Sequence, residues 1–154
     1  MVIVKHTYIA DLKHKVGEEV TLHGWVYNKR SSGKIWFLIL RDGTGSTQCV
    51  VVGGQVPDEV FDLDGVLTQE SSVSVTGVVK EEKRAVGGYE LEVSDIRVHQ
   101  IAQNYPISKK DHGTAFLMDN RHLWIRSKRQ NAVLKVRAEI IRACRDFLDS
   151  NGFV

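Results

Sequence analysis

At 154 residues, 42% hydrophobic and 26% charged, the chain has the make-up of one folded domain plus an appendage, not of a disordered tail. Its longest apolar run, residues 35–40, is far too short to cross a bilayer, and Lys5, His6, Asp11 and Lys13 interrupt any signal-like core; a cytoplasmic protein without membrane partners is expected. The net charge of +2 hides a split: 13 Lys and Arg stand against 16 Asp and Glu through Asn120, then 8 against 3 from Arg121 onward, so nucleic-acid contact by the first region has to come from a local patch.

In chain order, Thr7 is placed to cap a short helix over residues 8–15, ended by Gly17. Residues 19–30 read as a strand with Val20, Leu22, Gly24 and Val26 on one face. The turn-like "RSSGK" leads into residues 35–41, whose nearly continuous apolar run predicts a buried strand. "DGTGS" supplies a second turn, and residues 47–52 complete a meander. Pro57 opens a short helical stretch, "PDEVFDLDGVL". "SSVSVTGVVKEE" then alternates with period two, placing Val73, Val75, Gly77 and Val79 together. After a turn at "VGG", residues 89–101 return as a fifth strand. Leu91 and Val93 are in phase there, while Ile96 and Val98 are one residue out, which predicts a bulge near Ser94 or Asp95.

Composition alone leaves a sandwich or an SH3-like barrel open. The helix between strands three and four points instead to an all-β, five-stranded OB-fold barrel. Beyond it, "QNYPISKKDHG" lacks periodicity and reads as a linker. "SKRQ" fits a capping box, which begins one long C-terminal α-helix that Gly152 ends. The expected organisation is a barrel over residues 1–102, a hinge over 103–126, and the start of a further domain over 127–154. Val133, Val136, Ile140, Ile141, Cys144, Phe147 and Leu148 form an apolar stripe on the last helix that needs a partner.

Cys49 and Cys144 match no metal or redox spacing, and the histidines form no nucleophile or base constellation; two buried thiols and no metal site are expected. The informative stretch is residues 24–52. Trp25, Tyr27, Trp36 and Phe37 are interleaved there with Lys29, Arg30, Lys34 and Arg41. An OB-fold binds oligonucleotides on this sheet, where rings stack on unpaired bases and cations contact phosphates. Individual rings also suit the barrel core, Trp25 among them. Gln48 lies where its carboxamide, a donor and an acceptor together, can read a base edge beside Phe37.

The spacing Arg30, Phe37, "LRD" at residues 40–42 and Gln48, followed by "VSVTG" and "LEV", resembles the anticodon-binding domain of class IIb aminoacyl-tRNA synthetases, the aspartyl, asparaginyl and lysyl enzymes. "FLMDNRHLWIRS" at residues 116–127 is similar to the junction in the asparaginyl branch, where aspartyl enzymes tend to carry "RYLDLR". The resemblance covers nearly the whole chain. It implies that Phe37 stacks on the central anticodon uridine, that Arg30 and Gln48 bond its edge, and that Glu92 contacts the guanosine before it. Aspartate and asparagine anticodons share these two bases, so the four contacts do not separate the two tRNAs. Lys29, Lys34, Arg121, Arg126, Lys128 and Arg129 are candidate phosphate contacts, although the last four serve equally well as a solvated helix face.

The family uses ATP and magnesium to make an aminoacyl-adenylate, and then acylates tRNA. Its arginine–glutamate and glycine–arginine motifs are not in this chain, whose last residues resemble the family's first class II motif, a dimer-building helix. The resemblance therefore implies a piece holding the tRNA-reading domain, without cofactor or catalysis of its own, and a homodimer through the C-terminal helix. An aspartyl enzyme of relaxed specificity and a free-standing, non-enzymatic OB-fold RNA binder are the alternatives.

Overall fold

The computed structural model describes residues 7–107 and 110–154. The chain divides into two compact units, Met1–Tyr105 and Pro106–Val154. The first unit is a closed barrel of five strands in the order β1-β2-β3-β5-β4: β1 Glu19–Ser32, β2 Ile35–Arg41, β3 Ser46–Val52, β4 Ser72–Glu81 and β5 Tyr89–Gln100. All neighbours are antiparallel except β3 and β5. A short helix, α1 Asp58–Phe61, continues into a 3₁₀ turn at Asp62–Gly65 between β3 and β4. This is the OB-fold that the strand pattern predicts.

The strands form because alternate residues have an apolar interior to enter. Val20, Leu22 and Val26 of β1 meet Leu38 and Leu40 of β2, Cys49 and Val51 of β3, Val73, Val75 and Val79 of β4, and Leu91 of β5 in one core. The second strand departs from the expected buried run. Trp36, Leu38 and Leu40 point inward, but Phe37, Ile39 and Arg41 alternate outward and are half-buried. An antiparallel sheet with one solvated face accepts such apolar outward residues where they serve a surface.

Two glycines let the barrel close. A Cβ on Gly24 would stand 2.4 Å from the Arg41 carbonyl oxygen, and one on Gly77 would stand 2.2 Å from that of Glu92. Both obstacles are backbone, which has nowhere to go. The predicted bulge in β5 falls at Ser94, since Thr76 pairs with Asp95 and Gly77 with Val93. A second bulge, unforeseen in the sequence, lies at Tyr27 of β1, between Val26 paired with Leu40 and Asn28 paired with Ile39.

Thr7 is not a helix cap. It bridges to Leu22, and the helical segment is a 3₁₀ turn over Ile9–His14. Its exposed amides are satisfied from across the barrel: Ile9 N–H donates to Asp42 Oδ2 at 2.8 Å and Ala10 N–H to Thr44 Oγ1 at 3.1 Å. The other Asp42 oxygen accepts from the Thr44 and Gly45 amides and holds the β2–β3 turn.

In the second unit, the stretch read as hinge carries two short helices, α2 Thr114–Asp119 and α3 Arg121–Trp124, before α4 Lys128–Ser150. Ser127 caps α4 by accepting from the Gln130 amide at 3.4 Å, and Gly152 follows its end at φ +81°.

Cys49 is fully buried, and burial, with Glu90 nearby, pushes its thiol well above the ordinary range. Cys144, expected to be buried, is exposed on α4. One thiol is therefore expected to react with an aromatic disulfide reagent in the folded chain at neutral pH, and the second only after denaturant is added; two fast thiols would contradict this core. Gly77→Ala is expected to lower the unfolding free energy by about 1–3 kcal/mol through overpacking, measured by urea denaturation.

Candidate nucleic-acid interface

The outward face of β1, β2, β3 and β5 is a lattice whose register sets which side chains meet. On one rung Arg30 pairs with Phe37, Phe37 with Val50 and Val50 with Glu92. On the next, Asn28 pairs with Ile39, Ile39 with Gln48 and Gln48 with Glu90. Phe37 and Gln48 are thus diagonal neighbours, within reach of each other's partners.

The structure brings three of the four expected anticodon residues together. The Arg30 guanidinium carbon lies 4.4 Å from the Phe37 ring centroid, a cation–π contact. Arg30 also reaches Gln48 Oε1 at a long 3.5 Å, and Gln48 Nε2 donates to Glu90 Oε2 at 3.0 Å. The amide is thereby held at both ends, oxygen toward a cation and nitrogen toward a carboxylate. Glu92 stands on the rung of Arg30 and Phe37, beyond Val50, and is ion-paired with Lys80. Glu90 was not among the expected residues. Its alternation with buried Leu91 and Val93 marks it as outward, but only the non-local β3–β5 pairing puts it beside Gln48.

The candidate cations separate. Lys29 is on the other side of β1 from Arg30, opposite inward Leu38, and pairs with Asp64 at 3.4 Å, an acid that also accepts from Ser31. Lys34 is exposed in the tight β1–β2 turn, next to Gly33 at φ +61°. Arg121, Arg126, Lys128 and Arg129 belong to the second unit, on α3, between α3 and α4, and on the first turn of α4.

The rings separate as well. Trp36 is core, only 1% exposed, and its indole N–H is buried without a hydrogen-bond partner, a cost of about 1–3 kcal/mol that its large buried area offsets. Trp25 and Tyr27 point outward with Phe37. Arg41, paired with Trp25 in register, lies 5.8 Å over the Tyr27 ring and forms a salt bridge of 2.8 Å with nearly buried Glu70. The sheet therefore presents guanidinium-on-ring units at two places, an arrangement suited to stacked bases and an anionic backbone.

The family described as OB-fold nucleic acid binding domain matches residues 20–98, and that described as tRNA synthetases class II (D, K and N) matches residues 113–154. The asparagine–tRNA ligase of Desulforamulus reducens is 56% identical over 147 residues, covering 96% of this chain and 34% of its own length. That of Symbiobacterium thermophilum is 57% identical over 138 residues, covering 90% of this chain and 32% of its own. The crystal structure of asparaginyl-tRNA synthetase from Pyrococcus horikoshii complexed with asparaginyl-adenylate superposes with a TM-score of 0.90 at 37% identity, over 97% of this chain and 35% of that one. The chain thus spans about a third of the length of the curated relatives it matches. With an OB barrel followed by the opening of a class II synthetase region, and relatives of one kind at this identity, the chain belongs to the asparagine–tRNA ligase family, its barrel being that family's anticodon-binding domain.

Proposed function

We propose that the barrel reads the anticodon loop of an asparagine-accepting tRNA, and that in the longer protein this reading selects the tRNA for ATP- and magnesium-dependent attachment of asparagine. The carrying observation is the Arg30–Phe37–Gln48 cluster, a planar cation stacked on a ring beside an amide held at both ends. A guanidinium stacks on bases as a ring does, so Arg30 extends the surface of Phe37. Gln48 then offers its amide to the Watson–Crick edge of a central uridine, and Glu92 accepts from the N–H groups of the guanosine before it. Identity to asparagine enzymes at 49–57% favours this over the aspartyl alternative.

Lys34 is the phosphate contact that the barrel geometry favours, Lys29 being engaged by Asp64. Arg121, Arg126, Lys128 and Arg129, all in the second unit, are the further candidate phosphate contacts. ATP and magnesium belong, in this reading, to the catalytic part of the longer class II enzymes that the chain resembles. The exposed stripe of α4, from Val133 to Leu148, supports a homodimer through that helix in the longer protein.

Phe37→Ala is expected to weaken binding of an asparagine-type anticodon stem-loop by about 1–3 kcal/mol, in a titration at fixed salt. Unchanged affinity with the fold intact rules out stacking. Gln48→Ala is expected to relax preference for uridine at the central position more than it weakens overall binding, read with a central-base variant beside the parent loop. Glu90→Ala should relax that same preference by a smaller factor, with no added effect in the Gln48→Ala background; additive losses would mean that Glu90 acts independently of Gln48.

A further inference from the structure

The carboxylates of β5 do not pair straight across the sheet. In register Lys80 of β4 stands opposite Glu90, and Val78 opposite Glu92. Lys80 nevertheless reaches diagonally and forms its ion pair with Glu92, while Glu90 accepts from Gln48 Nε2 at 3.0 Å. Each carboxylate thus has its own partner. The barrel carries two adjoining outward rungs: Arg30, Phe37, Val50, Glu92 and Val78 on one, and Asn28, Ile39, Gln48, Glu90 and Lys80 on the other. Lys80 is the one cation of β4, and its side chain is 54% exposed beside Glu92 at 38%, so both charges are open to a ligand.

An exposed ion pair adds little to stability, so a ligand that engages both charges displaces almost nothing. A carboxylate alone takes N–H groups from a base without naming it, because guanine, adenine and cytosine each carry an amino group. The Watson–Crick edge of guanine is a row of one acceptor, O6, and two donors, N1–H and N2–H. In adenine an amino group stands in the place of O6, and N1 bears no hydrogen. A carboxylate with an ammonium beside it complements the guanine row, with acceptors for its donors and a donor for O6. Against adenine the same ammonium meets an amino group, donor to donor. Glu92 has the capacity for both partners: an ionised carboxylate offers about four lone-pair sites, and Lys80 takes one on Oε2.

We infer that Lys80 is a specificity-determining residue of the anticodon face: its ammonium donates to O6 of the guanosine whose N–H groups Glu92 accepts. That guanosine is a different nucleotide from the uridine on Phe37. Two strand spacings, about 10 Å, separate Phe37 from Glu92 along their rung, so a base stacked on the ring does not also engage the carboxylate. Lys80 lies on β4, beyond Glu92 as seen from Phe37, and its contact therefore falls on the outer of the two bases. It also offsets one of the two negative charges that Glu90 and Glu92 present to an anionic loop. This rests on the anticodon reading above, and adds to it the residue that tells guanosine from adenosine.

The test is a fixed-salt titration of the full chain and its Lys80→Met, Lys80→Arg, Glu92→Gln and Phe37→Ala variants against four stem-loops, with guanine, hypoxanthine, adenine or 2-aminopurine at the first anticodon position. Hypoxanthine keeps O6 and N1–H but lacks the amino group, whereas 2-aminopurine keeps that amino group and lacks O6. Lys80→Met is expected to weaken the guanine and hypoxanthine loops alike, by about five- to fiftyfold, and to leave the other two as they were. Lys80→Arg should keep most of the guanine preference. Glu92→Gln should instead cost the guanine loop more than the hypoxanthine loop. A Lys80→Met loss that follows the Glu92→Gln pattern overturns the O6 contact and leaves Lys80 a support for Glu92. An equal loss on all four loops overturns it in favour of a phosphate contact, and no loss overturns it outright. In each of these cases a Phe37→Ala loss leaves the anticodon reading standing, whereas no response to Phe37→Ala, together with equal binding of all four loops, overturns both. Lys80 lies outside the core, and urea denaturation checks that Lys80→Met folds; should it not, Lys80→Gln is read by the same criterion.

Discussion

One extra residue in β1, Tyr27, decides which cation meets which ring. Before it, even-numbered residues of β1 enter the core, as Val20, Leu22 and Val26 do. Strand alternation carried on unbroken would leave Lys29 outward and turn Arg30 toward the barrel end, because a one-residue slip reverses every following side chain. With the bulge, Asn28 faces out opposite Ile39, Lys29 turns to Asp64, and Arg30 lands on Phe37. The extra residue also sends its own ring outward, toward Arg41. Re-aiming of this kind is the usual service of a bulge beside a functional surface.

The bulge is held from outside β1. Glu70 and Ser71, at the entry to β4, bond both sides of Val26, while the Glu70 carboxylate holds Arg41 across from Trp25. A buried ion pair gains little over an apolar pair of the same shape, but breaking one half is costly, because the other charge is left unmatched. The pair therefore secures geometry more than stability. The left-handed backbone at Glu70 is its local cost, and the bulge's hydrogen bonds offset it. The proposed binding face is thus built on paired sheet, and a preorganised platform loses little conformational entropy on binding.

The second unit follows a different physical logic. No residue of α4 is buried, although Val133, Val136, Ile140, Ile141, Phe147 and Leu148 repeat at helical spacing. Its ends are well formed, with Ser127 at the start and Gly152 beyond the end, so local signals suffice to set its limits. Burial of its apolar face, the main source of helix stability in proteins, has to come from a surface outside the helix itself.

By itself the sequence determined the five strands and their places along the chain, because apolar periodicity and turn residues mark each one, and the helix between the third and fourth pointed to the barrel. It also determined the slip at Ser94 and the bounds of α4, both consequences of local periodicity and capping. The family motifs pointed to Arg30, Phe37 and Gln48. Tertiary structure alone decided how those residues act together. The bulge at Tyr27, the parallel β3–β5 register that brings Glu90 to Gln48, the removal of Trp36 into the core, and the cap that Asp42 rather than Thr7 provides all depend on contacts between distant segments. Periodicity reports one strand's faces; only the pairing of strands says which faces adjoin, and that pairing is set by barrel closure, which no single stretch of sequence contains.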